Sequence, residues 1–194
     1  YMVEGDWSSA SYFLALGATS GEVEVENLNP QSLQGDKVIL DFLRDMGALV
    51  EVNKSSITVR KSRLNAIRAD LSDCIDLLPT LAVLAATANG VSEFIGIERA
   101  RLKESNRVSA LREGLAEMGI KTTEEKDRLT ITGSEPRGSV IDTRGDHRIA
   151  MAFSILGSVA GETIINDAEC VSKTYPDFWD ILKSIGGKVK IDGE

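Results

Sequence analysis

The chain has 194 residues, 42% hydrophobic and 27% charged, which is enough apolar material for one globular domain. Its formal net charge of -8 argues against a nucleic-acid or membrane-surface protein, whose phosphate-tracking faces push a domain basic, so an anion bound here needs a local site. The two cysteines, Cys74 and Cys170, lie far apart without metal-ligand spacing, so they read as free thiols of a reducing compartment. With no long apolar run and no signal-peptide pattern, the chain reads as soluble and cytoplasmic.

Along the chain, one unit recurs three times. Asp6 opens "DWSSASYFLALGATSG", Asp76 opens "DLLPTLAVLAATANG" and Asp146 opens "DHRIAMAFSILGSVAG", at equal intervals of 70 residues. An aspartate before an apolar run predicts an N-cap, because its carboxylate accepts orphan N–H groups of the first turn, and Pro79 fits a first helical turn. These runs are apolar nearly all round, so they predict inner, buried helices. A second set, "VILDFLRDMGA", "VSALREGLAEMGI" and "FWDILKSIGGK", ends at Gly47, Gly119 and Gly186 and predicts amphipathic outer helices. The alternating runs "EVEVENL", "ALVEVN", "SITVR", "RLTIT", "ETIIND" and "GKVKI" predict strands, whereas 61–73 and 133–145 read as polar joints between units. The fold class is α/β: one domain over 1–194 with three units close to βαβαββ, at about 1–66, 67–137 and 138–194, the last incomplete. Parallel inner helices would bring their N-termini to one end and make it favourable for anions.

The charge pattern strengthens that expectation. The stretch "ERARLKESNRVSALREG", residues 98–114, gathers Arg99, Arg101, Lys103, Arg107 and Arg112. With Ser105 read as the N-cap of the second outer helix, Lys103 and Arg107 flank a helix start, where cations oppose the dipole. His147 and Arg148 stand in the first turn behind Asp146, and Lys173 precedes the third outer helix. Taken singly, each reads as a solvated surface ion pair, Arg148 with Asp142 for example. Together they predict an oxyanion site among Arg107, Arg148 and Lys173, with too few carboxylates nearby to neutralise it. Trp7, Tyr175 and Phe178 read as core aromatics.

The segments "EGDWSSASYFLA", "RLKESNR", "DHRIAMAF" and "CVSKTYPDF" resemble the signature segments of the 5-enolpyruvylshikimate-3-phosphate (EPSP) synthase family, from Tyr1 to about Phe178. The resemblance implies one of two similar domains, made mainly of the C-terminal half, which close on a cleft. It also implies that an N-terminal half and a short N-terminal segment bearing a catalytic lysine belong to a longer parent; the start at Tyr1 fits a fragment, inactive alone. The implied reaction transfers the enolpyruvyl group of phosphoenolpyruvate to the 5-hydroxyl of shikimate 3-phosphate and releases phosphate. Asp76 would hold shikimate hydroxyls and take the 5-OH proton, besides capping its helix. Glu104 would exchange a proton near C3, and His147 would shuttle a proton or orient Glu104. Arg107, Arg148 and Lys173 would clamp phosphoenolpyruvate, arginine being suited to bidentate contact, and Lys103 would face the shikimate ligand. Arg99 and Asn106 depart from the family pattern, Asn106 standing where aspartate is usual. The implied partners are two small-molecule substrates and the missing half of a monomeric parent, without nucleic acid, membrane, metal or cofactor; the sequence has no dinucleotide, Walker or HExxH motif. Two further readings stand beside this one: a UDP-N-acetylglucosamine enolpyruvyl transferase domain, and a non-catalytic phosphate-binding domain of the same fold.

Overall fold

A computed structural model describes residues 3–191. Tyr1, where the resemblance begins, and the last three residues of the third unit lie outside the described residues. The first unit contains α1 (Trp7–Ser20), β1 (Glu22–Glu26), α2 (Ile39–Asp45), β2 (Leu49–Val52) and β3 (Ser56–Arg60). The second contains β4 (Arg68–Asp70), α3 (Leu78–Thr87), β5 (Val91–Ile95), α4 (Arg107–Glu117), β6 (Lys121–Glu125) and β7 (Arg128–Thr132). The third contains β8 (Val140–Ile141), α5 (His147–Ala160), β9 (Ile164–Ile165) and α6 (Phe178–Ser184).

The second unit forms a complete mixed sheet in the order β4-β5-β7-β6, with β4 parallel to β5 and the remaining pairs antiparallel. The first has β1-β3-β2, the same antiparallel arrangement as β5-β7-β6, and among the described residues no counterpart of β4 on β1. Among the described residues the third has only the parallel pair β8-β9, the counterpart of β4-β5. Here the sequence reading is corrected. The polar joints contain β4 and β8, two short strands formed by parallel pairing, and β5 and β6, also absent from the predicted strands, pair antiparallel on either side of β7. "GKVKI" takes no strand conformation, because β9 has no partner among the described residues equivalent to β7, through which such a strand would join the sheet.

Helices α1, α3 and α5 pack on one another in the centre. Nine of the ten residues of α3 are buried, as its uniformly apolar sequence requires, since withdrawing each large aliphatic side chain from water is worth about 1.5–3 kcal/mol. The strands flank this core; β1 alternates exposed and half-buried residues and β7 half-buried and buried ones, whereas β3, central in its sheet, buries Ile57, Thr58 and Val59 in a row. Trp7 and Phe178 are fully buried, and Tyr175 is half-buried in an edge-on aromatic cluster with Phe13 and Phe178. The outer helices stop at Gly47, Gly119 and Gly186, all with positive φ, where a glycine reverses the chain without Cβ strain. Helix α4 lies close on α5: a Cβ at Gly114 would stand 2.4 Å from Phe153 Cζ. That close crossing seats the C-terminal half of α4 against the middle of α5.

Candidate active site

The N-terminal turns of the inner helices meet at one end of the core. Ser11 Oγ on α1 lies 2.8 Å from Thr80 Oγ1 on α3, and the Tyr12 side chain of α1 faces Arg148 in the first turn of α5. Asp6 and Asp146 cap their helices, accepting the N–H groups of Ser9 at 2.8 Å and Arg148 at 3.0 Å. Asp76 does not. It sits in a single helical turn, Ile75–Leu77, ahead of α3, whose N-cap position is Leu77 and has no side-chain cap bond. Its carboxylate is taken instead by cations: Arg107 Nη1 at 2.7 Å, Lys103 Nζ at 3.3 Å and Arg148 Nη2 at 3.4 Å. The cap of α4 is likewise one residue later than expected. Asn106 accepts the Ser109 N–H at 3.3 Å, while Ser105 donates to Asp146 Oδ2 at 3.0 Å.

Arg107 is the hub. Its side chain is 1% exposed, and its guanidinium donates to Asp146 Oδ2 through Nε at 2.9 Å, to Asp76 through Nη1 and to Glu104 Oε2 through Nη2 at 2.5 Å. Lys173, 58% exposed, donates to Glu104 Oε1 at 3.0 Å. Lys103, Arg107, Arg148 and Lys173 therefore converge, but Asp76, Glu104 and Asp146 already meet them. The expected excess of unneutralised cations is thus wrong, because the repeat brings a carboxylate to each cation as it brings the cations together. Arg148 pairs with Asp76 rather than Asp142, whose carboxylate accepts the Arg144 N–H.

The electrostatics follow from this crossing of charges. Burial alone would raise the Asp76 carboxyl, but Arg148, Arg107 and Lys103 outweigh it and hold the group below the usual carboxylate range. Glu104 likewise resists its burial; its own N–H, Lys173 and Arg107 pull it down to about 2. His147 is 2% exposed and burial lowers its pKa, favouring neutral imidazole; its Nδ1 has no hydrogen-bond partner and lies 4.0 Å from Asp146 Oδ1. No hydrogen bond joins His147 to Glu104 among the described residues, so an orienting contact between them is not formed in this state. Tyr12, fully buried and pushed up to about 12 by burial, keeps a neutral hydroxyl facing Arg148 without a well-formed hydrogen bond.

Sequence reasoning missed three participants: the second role of Asp146, Tyr12, and Asp36. Asp36 receives the Ser8 hydroxyl, and burial raises its pKa, with Arg148 and Asp76 within electrostatic reach. Only Asp146 carried a usable signal, its repeat position directly before His147 and Arg148. The rest of the 98–114 charge is structural: Arg101 and Arg112 both bind Glu124, and Arg99 donates to the Ser72 carbonyl. A concavity of about 390 Å³ lined by Ala110, Glu113, Gly114, Glu117, Val140 and Asp142 contains none of the seven expected site residues. Those lie on a face of graded exposure, with Asp76 and Glu104 each 30% exposed.

Comparison with known proteins bears on this arrangement. A family model described as EPSP synthase (3-phosphoshikimate 1-carboxyvinyltransferase) matches residues 1–182. The chain is 57% identical over 189 residues to the 3-phosphoshikimate 1-carboxyvinyltransferase of Dehalococcoides mccartyi (strain ATCC BAA-2266 / KCTC 15142 / 195), covering 97% of this chain and 45% of the relative. It is 44% identical over 186 residues to that of Methanopyrus kandleri, covering 95% and 44%. Among solved structures, EPSP synthase from Acinetobacter baumannii superposes with a TM-score of 0.84 at 26% identity, over 98% of this chain and 47% of the other. The enolpyruvyl transferase NikO from Streptomyces tendae shares the fold, with a TM-score of 0.76 at 18% identity over 98% and 45%. The chain spans about half the length of the curated relatives it matches.

Proposed function

The chain belongs to the EPSP synthase family, and on that footing we propose that it is one of two domains of an enolpyruvyl transferase acting on phosphoenolpyruvate and shikimate 3-phosphate. One observation supports the reading above others: Asp76, Glu104, Lys103, Arg107, Arg148 and Lys173, drawn from separate segments, form one charged cluster beside His147. In the reaction, the 5-hydroxyl oxygen bonds to C2 of phosphoenolpyruvate while C3 gains a proton. The tetrahedral adduct then loses phosphate from C2 and a proton from C3, which restores the double bond. Asp76 is ionised and so can receive the hydroxyl proton, but its three cations weaken it as a base, so it is primed as substrate anions draw those cations away. Lys173, Lys103 and Arg148, 58%, 33% and 15% exposed, are the cations of the cluster with solvent-facing surface; Lys173 and Arg148 suit capture of carboxylate and phosphate oxygens, and Lys103 suits contact with the second substrate. Arg107 stays in place and presents Nη1 and Nη2.

The ion pairs suggest how binding primes the proton carrier. Glu104 is ionised while Lys173 and Arg107 compensate it. An anionic substrate that takes those cations withdraws that stabilisation and raises the carboxyl, so Glu104 becomes able to carry a proton to C3 when the site is loaded. The buried, neutral His147 suits a proton relay more than a charge contact. No helix of the described residues is long and apolar enough to cross a membrane. A monomeric, cytoplasmic parent using small-molecule substrates completes the reading. Its test is phosphate release by the full-length parent with phosphoenolpyruvate and shikimate 3-phosphate. Turnover dependent on both substrates is expected. Turnover with UDP-N-acetylglucosamine instead, or phosphate binding with neither acceptor used, would replace the reading by one of its two alternatives.

A further inference from the structure

We propose that Asp146 is a positioning residue, which locks the guanidinium plane of Arg107 so that Nη1 and Nη2 keep one direction, toward the Asp76 and Glu104 carboxylates here and toward the anionic substrate that displaces them. The repeat itself isolates this role. Three aspartates occupy equivalent places ahead of the inner helices, yet they do three different things. Asp6 is exposed and caps α1 through Ser9. Asp76 leaves its helix uncapped and binds cations. Asp146, 0% exposed, does both: Oδ1 accepts the Arg148 N–H, while Oδ2 accepts Arg107 Nε at 2.9 Å and Ser105 Oγ at 3.0 Å. A longer contact from Arg107 Nη2 to Oδ1, at 3.4 Å, completes a two-point grip on one edge of the guanidinium.

That grip has a consequence for binding. A planar guanidinium held along its Nε/Nη2 edge cannot rotate, so Nη1 and the outer proton of Nη2 are aimed at Asp76 and Glu104. Swinging Arg107 toward solvent would strand a carboxylate that water cannot reach, which makes such a rotamer costly. Lys173 and Lys103, by contrast, are tethered only to half-exposed carboxylates and are free to follow a ligand. Arg107 is therefore the fixed reference of the cluster, and Asp146 fixes it while also capping α5. Through Ser105, the same carboxylate ties the start of α4 to the start of α5.

This inference rests on the proposed enolpyruvyl-transferase reading, and the experiment separates the two. In the full-length protein, Asp146→Asn keeps an oxygen for the Arg148 N–H but turns an N–H toward Arg107. Ser105→Ala removes one bond to Oδ2, and Asp6→Asn alters the equivalent cap that has no arginine. Two quantities are read: steady-state constants for each substrate, and hydrogen exchange of the Arg107 Nε–H by 15N NMR, which needs no turnover. Asp146→Asn is expected to raise the KM for phosphoenolpyruvate by roughly ten- to a hundredfold, more than it lowers kcat, and to speed Nε–H exchange at least about tenfold. Ser105→Ala should shift both in the same direction by less, and Asp6→Asn should leave both within about twofold. Unchanged KM and exchange in both Asp146→Asn and Ser105→Ala, or equal effects from Asp6→Asn, would overturn the assignment. If the parent makes no product, the functional reading fails while the exchange measurement still decides whether Asp146 holds Arg107. If Asp146→Asn does not fold, Ser105→Ala decides alone.

Discussion

Replacing Arg107 with methionine removes a cation from between three carboxylates, and the structure says which of them suffers. Asp76 and Glu104 are each 30% exposed and retain other cationic partners: Lys103 and Arg148 for the first, Lys173 for the second. Both can be rehydrated. Asp146 is 0% exposed and keeps only the Ser105 hydroxyl and the Arg148 N–H, so it becomes a buried charge without a counter-ion. Breaking a buried pair in this way costs about 3–5 kcal/mol, far above the ~0–1 kcal/mol of a solvated pair. Methionine fills much of the vacated volume, so the loss reports charge rather than packing. Adding Asp146→Asn removes the stranded charge, so the double variant should be more stable than Arg107→Met by about 1–3 kcal/mol, despite carrying one more substitution. Urea unfolding of the four proteins at pH 7 gives the cycle. A loss under about 1 kcal/mol for Arg107→Met, or a double variant as unstable as the summed singles, would refute the view of Asp146 and Arg107 as one buried unit.

Two further outcomes follow from the same structure. Glu104 has its pKa depressed from 4.5 to about 2, so its ion pairs contribute stability above pH 4.5 that is lost as the pH falls toward 2; Glu104→Gln should flatten this limb. Because the side chain is 30% exposed, the screened effect is on the order of 1 kcal/mol, readable as the change in urea midpoint across that window, and an acid limb identical in both proteins would contradict it. Gly114→Ala gains about 1 kcal/mol of helix propensity but drives a methyl into Phe153, a strain of about 1–3 kcal/mol, so thermal unfolding should show net destabilisation. Phe153→Leu should relieve that strain in the double variant; a stabilised Gly114→Ala would mean that α4 and α5 are farther apart than described.

What the sequence made legible was what local chemistry decides. The caps at Asp6 and Asp146 and the glycine stops at Gly47, Gly119 and Gly186 are short-range features, and they are where the pattern put them. Asp76 looked the same, with a proline three residues on, but its carboxylate is claimed by arginines 31 and 72 positions away, which no window shows. Strands β4 and β8 were missed because parallel partners make them, β5 because "VSEFI" does not alternate strictly and β6 because "KTTEE" has no apolar residue to alternate, while "GKVKI" alternates correctly yet lacks a partner to pair with. Cations at helix starts marked segments that the fold brings into one cluster. The pattern could not show that carboxylates from other units would meet them, nor that Asp146, readable as a cap, also grips Arg107.

The claim that this chain is half of a split active site is tested most directly by reconstitution. The chain is mixed with the separately produced remainder of its parent, and phosphate release is followed with phosphoenolpyruvate and shikimate 3-phosphate. Neither part alone should turn over, since closing a cleft on both substrates can supply roughly 7–11 kcal/mol of the barrier and half a cleft cannot. The mixture should release phosphate, and Glu104→Gln or Lys173→Ala in this chain should abolish or strongly reduce that release. Robust turnover by the chain alone, or a reconstituted activity indifferent to both substitutions, would contradict the placement of the site.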